Sequence, residues 1–284
     1  MTKPTYHVVS FSGGKDSTAM VLRMIELGYQ IDEVLFCDTT MEFPGMIRHV
    51  EKVKKVIEAA GIKFTTLQDD LSFEEWMLEY TPERKNPALE GLRGKSWPGP
   101  MTRWCTQRLK ERVIKRYLRQ LRDRYTVYQY VGMAADERHR LERKQQQEGN
   151  KIYPLVDWGW EEADALAFCY QKGYDWEGLY DLFRRVSCWC CPLQPLAELR
   201  QLRTHFPDLR QRLKDLDAQT WRDFKENGQS VENLDKRFAL EDELTAAGHS
   251  ITNKAFFADL KRLLAGEVTI EQILMERTKE GVEL

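Results

Sequence analysis

Apolar positions change their period several times along this chain, and each change predicts an element. Tyr6-His7-Val8-Val9-Ser10-Phe11 is a short β-prone run ended by Ser12-Gly13-Gly14. From Asp16 to Leu27 the spacing of Ala19, Met20, Leu22, Met24, Ile25 and Leu27 fits a well-buried helix, closed by Gly28. Glu33 to Cys37 reads as a second strand, Met46 to Ala60 as an amphipathic helix ended by Gly61, and Ile62 to Leu67 as a third strand. This β-α-β-α-β rhythm predicts a doubly wound, Rossmann-like α/β fold: a parallel sheet, right-handed connections, helices on both faces.

Later segments change character. Pro82 to Pro100 is rich in Pro, Gly and basic residues and reads as a long loop. Tyr125 to Gly132 is a further strand, Arg138 to Gly149 a basic, Gln-rich loop, and Ile152 to Leu155 a short strand. Beyond Trp160 the pattern is helical: Glu161 to Lys172, Pro195 to Phe206, Pro207 to Asn227, Val231 to Ala247, Asn253 to Ala265 and Ile270 to Glu280. A soft boundary near residue 158 divides a nucleotide-handling α/β domain (1–158) from a cysteine-bearing segment with a helical C-terminal region (159–284). The 284 residues are 42% hydrophobic and 31% charged, as in a soluble globular protein. With no apolar run of eighteen residues and a strand pattern at the N-terminus, the expectation is a cytoplasmic protein without a membrane partner.

The first turn carries chemistry. A strand feeding Ser10-x-Ser12-Gly13-Gly14-Lys15-Asp16-Ser17-Thr18 and then a helix is a phosphate cradle. Two glycines let backbone approach a ligand closely, and the helix start offers N–H groups and a positive dipole end. Ser12, Ser17 and Thr18 supply hydroxyls, Lys15 a point charge, and Asp16 a ligand for Mg²⁺ or a helix cap. The spacing is neither Gly-x-x-x-x-Gly-Lys-[Ser/Thr] nor Gly-x-Gly-x-x-Gly.

Six cysteines occur, three of them within four residues. Cys188-x-x-Cys191 brings two thiolates to one centre, Cys105 can complete one face, and Cys190 is an additional candidate. Soft thiolates select zinc, Cu(I) or iron–sulfur. Three of them suit a 4Fe-4S cluster with one open iron, whereas structural zinc prefers a fourth protein ligand. Cys37 and Cys169 read as small buried hydrophobes.

The net charge of −2 hides a local excess. From Arg103 to Arg124 nine Lys/Arg stand against Glu111 and Asp123, a net of +7 over 22 residues around an apolar stripe of Leu109, Val113, Tyr117, Leu118 and Leu121. Arg138, His139, Arg140, Arg143 and Lys144 form a second basic cluster, and Arg84, Lys85, Arg93 and Lys95 a third. A polyanion, nucleic acid above all, is one reading; surface charge balanced elsewhere is the other.

The loop resembles the PP-loop (Ser-x-Gly-Gly-x-Asp-Ser) of the adenine nucleotide alpha-hydrolase superfamily, and the segments after it resemble its phosphoadenosine-phosphosulfate (PAPS) reductase family in order. Phe36-Cys37-Asp38-Thr39-Thr40-Met41-Glu42-Phe43-Pro44 is similar to that family's D-T-G-x-E-F-P, with Thr40 replacing glycine. Arg103-Trp104-Cys105-Thr106 with Lys110 is similar to Arg-x-Cys-Thr…Lys. Gly132 to Arg138 is similar to G-x-R-x-D-E-x-x-R, with Ala134 where arginine is common. Tyr153 to Trp158 resembles P-L-x-D-W, and Ser187 to Leu193 resembles C-x-x-C-P.

The resemblance implies that Ser12–Thr18 holds nucleotide phosphates, that Asp38 lies beside the adenosine, and that Gly132, Asp136 and Arg138 line the same cleft. Arg103 and Lys110 would serve the reaction with Lys15 and Asp16. It further implies ATP split to AMP and pyrophosphate with Mg²⁺, and sulfur transfer through a cysteine-bound cluster to a tRNA or DNA component. A sulfur or electron donor, and a homodimer, are among the implied partners. The PAPS reductases' C-terminal Glu-Cys-Gly-x-His has no counterpart after Cys191 here, so the resemblance favours ATP activation over sulfate reduction. An atypical PAPS or adenylylsulfate reductase, and a nucleotide-binding module that engages nucleic acid without sulfur transfer, are the alternatives.

Overall fold

A computed structural model describes residues 3–140, 150–225 and 228–282, the side chains of 138–140 and 280–282 excepted. Five strands form one sheet: β1 (Thr5–Phe11), β2 (Glu33–Cys37), β3 (Lys63–Leu67), β4 (Thr126–Val131) and β5 (Lys151–Ile152). Their order is β3-β2-β1-β4-β5 and every pair is parallel. The chain steps outward from β1 to β3 and then returns to β1's other side. The strand order therefore reverses between β1 and β4, where α/β sheets open a crevice at their carboxyl ends.

Helices α1 (Lys15–Glu26) and α2 (Pro44–Ala59) connect the first three strands. The apolar spacing of α2 buries Met46, Val50, Val53 and Ile57, with His49 on the same face. A wide-turn π-helical segment (Thr106–Arg112) runs into α3 (Val113–Arg122). Leu118 of α3 packs on Val8, Leu35 and Val127, leaving the basic side of the helix in solvent.

The strand predicted over Ile152–Leu155 stops at Ile152, and Pro154 opens a helical turn, α4 (Pro154–Asp157). Proline lacks the ladder donor and suits the first helical position. After α5 (Glu162–Gln171) and α6 (Leu179–Leu182), contacts divide the chain into Met1–Glu83 with Arg93–Cys191 and Arg84–Leu92 with Pro192–Leu284. The division falls at Cys191/Pro192 rather than near residue 158, because α5 packs on α1 and keeps its neighbours with the sheet.

The second unit holds α7 (Leu196–His205), α8 (Pro207–Asp217), α9 (Val231–Ala246), α10 (Lys254–Leu264) and α11 (Ile270–Val282). Leu240, Leu244, Phe256, Leu260 and Ile273 make its core. The helix predicted from Pro207 to Asn227 ends at Asp217, where the Thr220 hydroxyl donates to the Asp217 carbonyl (2.9 Å) in place of a continuing turn. Among the described residues no helix is long and apolar enough to cross a membrane.

Candidate functional site

Three constraints shape the loop after β1. Gly13 has φ +78°, and a Cβ there would meet the Met46 sulfur at 2.7 Å and Val50 at 2.9 Å, so only glycine fits. Its carbonyl accepts from the Trp176 indole (2.8 Å). Trp176 stacks on His49 at 4.3 Å, and His49 Nε2 lies 3.0 Å from the Thr18 hydroxyl. Burial drives the His49 pKa down to about 3, so this buttress is a neutral imidazole. Ser17 Oγ accepts from the Ser12 amide and donates to the Gly14 carbonyl, both at 3.1 Å. Gly132, at the end of β4, lies so close that a Cβ would come within 2.9 Å of Ser17 backbone.

No side chain caps α1 at Gly14. Its first turn therefore keeps donors available to an anion. Lys15 is buried, its ammonium 2.7 Å from Glu162 and its amide donating to Tyr180 (2.9 Å). Asp16 Oδ1 is buried with no hydrogen-bond partner. Burial pushes this carboxyl up to about 6, Lys15 opposing and Glu162, Glu137 and Asp136 adding to the rise.

Beside the loop, at the β1/β4 reversal, lies a cavity of about 170 Å³. Ser10, Ser12, Ser17, Cys37, Lys110 and Gly132 are among its walls. Ser10 Oγ accepts from Gln129 (2.7 Å), which fixes the strand end. Lys110 reaches this wall from the π-helical segment, a type of bulge common at functional sites. Burial works to lower the Lys110 pKa, but Cys188, Glu42, Cys37 and Cys105 outweigh it and hold the ammonium above its ordinary value.

The cysteine turn is tied to the segment after β2. Glu42 bridges Cys188, the Trp189 amide donates to the Met41 carbonyl (3.1 Å), and Thr39 Oγ1 sits 3.5 Å from Cys188 Sγ. Thr39 also holds Glu42 through its hydroxyl (2.7 Å) and amide (3.2 Å). Burial pushes the Cys188 thiol up to about 12, and it drives Cys190 well above the usual range. Cys105 is raised by burial and then by Cys191, while Cys188, Cys191 and Cys105 all act on Cys190. The four thiols are thus electrostatic neighbours. Among the described residues, however, no three His, Cys, Asp or Glu side chains stand where they could hold a metal ion. The donor chemistry fits a soft metal centre, since a cation would offset the cost of charging buried thiols. Cys37 and Cys169 are buried, on β2 and α5.

The other predicted residues are more dispersed. Asp38 accepts from the Thr40 amide (2.7 Å) and from Gln68 (2.8 Å) at the end of β2. Arg103 and Asp136 are exposed. The side chains of Arg138, His139 and Arg140, and all of Arg143 and Lys144, lie outside the described residues. Thr40 has φ +65°. A left-handed conformation costs a non-glycine residue about 1–2 kcal/mol, so Thr40→Gly should raise Tm by a few degrees in thermal unfolding. A fall in Tm would mean that the Thr40 hydroxyl bond to the Thr39 carbonyl (2.6 Å) outweighs the strain.

Sequence reasoning missed Glu162, Tyr180 and the His49–Trp176 buttress. His49 left a signal, one polar residue in the apolar stripe of α2. Glu162 left none, standing 147 positions from its partner.

The profile of the phosphoadenosine phosphosulfate reductase domain matches residues 6–194. The chain belongs to this family. It is accordingly a member of the PP-loop, adenine nucleotide alpha-hydrolase superfamily. Two uncharacterized proteins of Methanocaldococcus jannaschii are related to it: MJ0066, 27% identical over 71% of this chain, and MJ0973, 29% identical over 70%. The chain spans 39% and 44% of their lengths, about two fifths. The U34-tRNA thiolase NcsA from Methanococcus maripaludis, with its 4Fe-4S cluster, aligns over 76% of this chain and 69% of its own. The identity is 15% and the TM-score 0.38, a likeness too loose to bear on chemistry.

Proposed function

We propose that this chain is a PP-loop enzyme that splits ATP between its α and β phosphates, using the energy to prepare an oxygen-bearing acceptor for sulfur transfer. One observation carries the reading. Lys110 stands on the cavity wall with the loop serines and belongs to the helical segment that begins at Cys105, which supports a reading in which the phosphate loop and that thiol serve one cleft.

In this reading an acceptor oxygen attacks the α-phosphorus, the bond to the α,β-bridging oxygen breaks, and pyrophosphate leaves with that electron pair. Lys15 and the N–H groups at the start of α1 stabilise the charge gathering on the leaving phosphates. The buried, unpartnered Asp16 Oδ1 would hold Mg²⁺. A sulfide-level donor then attacks the carbon that bears the adenylated oxygen, forming a C–S bond while the C–O bond breaks and AMP leaves with that oxygen and its electron pair. Cys105, Cys188 and Cys191, with Cys190 as a further candidate, would hold an iron–sulfur cluster, which would supply sulfide-level sulfur to the reaction. Lys110 steers anionic sulfur and phosphate into the same cleft.

The acceptor favoured by the surface is nucleic acid. Arg112, Lys115, Arg119 and Arg122 are exposed along one side of the helical segment. Arg112, Arg119 and Arg122 have no acidic partner among the described residues. Such a stripe attracts a phosphodiester backbone.

The test is the iron and acid-labile sulfide content of anaerobically purified protein. Near-stoichiometric cluster is expected in the wild type and most of it should be lost in Cys105→Ala. Iron-free wild type, or zinc alone, would rule out the sulfur-transfer half while leaving ATP cleavage standing.

A further inference from the structure

The cation meant for phosphate is already occupied. Lys15 Nζ lies 2.7 Å from Glu162 Oε2 and 3.9 Å from Asp16 Oδ2. The Lys15 amide, at the start of α1, donates to the Tyr180 hydroxyl, whose ring centroid is 5.6 Å from the ammonium. Both groups through which this residue would meet an anion therefore face oxygen atoms of the chain itself.

Glu162 is built to stay there. It opens α5, whose start is locked by a capping box: Asp164 accepts from the Glu161 amide (2.9 Å), and the Glu161 side chain caps in return. Cys169 anchors the same helix, its thiol 3.6 Å from the Lys15 carbonyl. Lys15 is nearly buried, with 10% of its side chain exposed, whereas Glu162 keeps 37% of its own. A buried ammonium without a partner is costly, so the pair stabilises the ligand-free fold. A half-exposed carboxylate, in contrast, can leave for water at little cost.

We infer that Glu162 is a stand-in for phosphate, holding Lys15 in the empty site and yielding it when the ligand arrives. It thereby sets how strongly an anion must bind. An incoming phosphate must displace this carboxylate and then sit beside it, and each step weakens binding relative to a site with a neutral residue there. Glu162 is a selectivity residue in this role and takes no part in bond breaking. The inference rests on the phosphate-loop reading above.

Glu162→Gln tests it, because the amide keeps the size and a hydrogen-bond acceptor but no charge. Inorganic pyrophosphate is the probe, titrated calorimetrically into the 284-residue chain without Mg²⁺. A charge-assisted bond of this kind is worth enough to predict about tenfold tighter binding in the variant. The ligand-free variant should also melt a few degrees lower, and pyrophosphate should restore more Tm than in the wild type. In a Lys15→Met background the same substitution should tighten pyrophosphate binding by clearly less than tenfold, because only the repulsion between carboxylate and anion is then removed. Should wild type bind pyrophosphate and Glu162→Gln bind it no tighter, the inference fails and the loop reading survives. Should neither bind pyrophosphate, both fail.

Discussion

Lys15→Met should reduce kcat/KM for ATP cleavage by about 10²–10³-fold, the usual loss when one charge-stabilising donor is removed from a transition state. Lys15 carries the only side-chain positive charge in the Ser12–Thr18 loop, and its burial gives that charge a low-dielectric setting where it counts for more. The fold should survive, because the released Glu162 is already partly in water. Unfolding midpoints for wild type and Lys15→Met should therefore lie close, while pyrophosphate release under saturating ATP differs by orders of magnitude. Equal rates would remove Lys15 from the chemistry. A collapsed midpoint would instead assign it a structural role.

The largest loss of stability should come from a residue far from the cleft. Glu33, at the start of β2, is wholly buried, with four groups turned on its carboxylate. Tyr117 donates at 2.7 Å, Tyr6 at 3.2 Å, Lys63 approaches to 2.8 Å, and Thr65 donates as well. Burial would raise the Glu33 pKa, but the bonds from Lys63, Thr65 and Tyr117 prevail and hold it below the ordinary value. Its contribution is therefore complete above the unfolded carboxylate value and is lost as pH falls through the folded one. Glu33→Ala strands two tyrosine hydroxyls and Thr65 without their acceptor, and should cost about 3–5 kcal/mol. That corresponds to a fall in Tm of about 10 °C. Glu33→Gln keeps the volume and two lone pairs and should cost less. A loss below about 1 kcal/mol in Glu33→Ala, by denaturant titration, would show that the network relaxes around the gap.

Both cases mark where the sequence is informative. Strands β1 to β4 and most helices were legible because their apolar periods are clean and glycines punctuate them. Pro154 was legible too late: the β-prone run through Ile152 masked the helical turn that proline opens. The loop's own residues could be read locally, since close approach and anion binding depend on neighbours in the chain. Gly13 is the clearest instance, its left-handed φ confirmed by the crowding of Met46 and Val50. Glu162, Tyr180 and Trp176 could not be read that way. They enter through tertiary packing of α5 and the segment after it, and no local spacing encodes a contact made across 147 residues. The cysteines fall between these cases. Their spacing announced shared chemistry, and the pairing of Glu42 with Cys188 then tied them to the segment after β2, a link no spacing could reveal.

The proposed function turns on which bond is broken in ATP. Incubating the anaerobic 284-residue protein with ATP labelled at the α-phosphate, Mg²⁺, a sulfide source and cellular RNA, and then separating the nucleotides, measures it directly. Labelled AMP with matching pyrophosphate, lost in Lys15→Met, is the predicted result. Labelled ADP with inorganic phosphate, or ATP recovered intact, would contradict it.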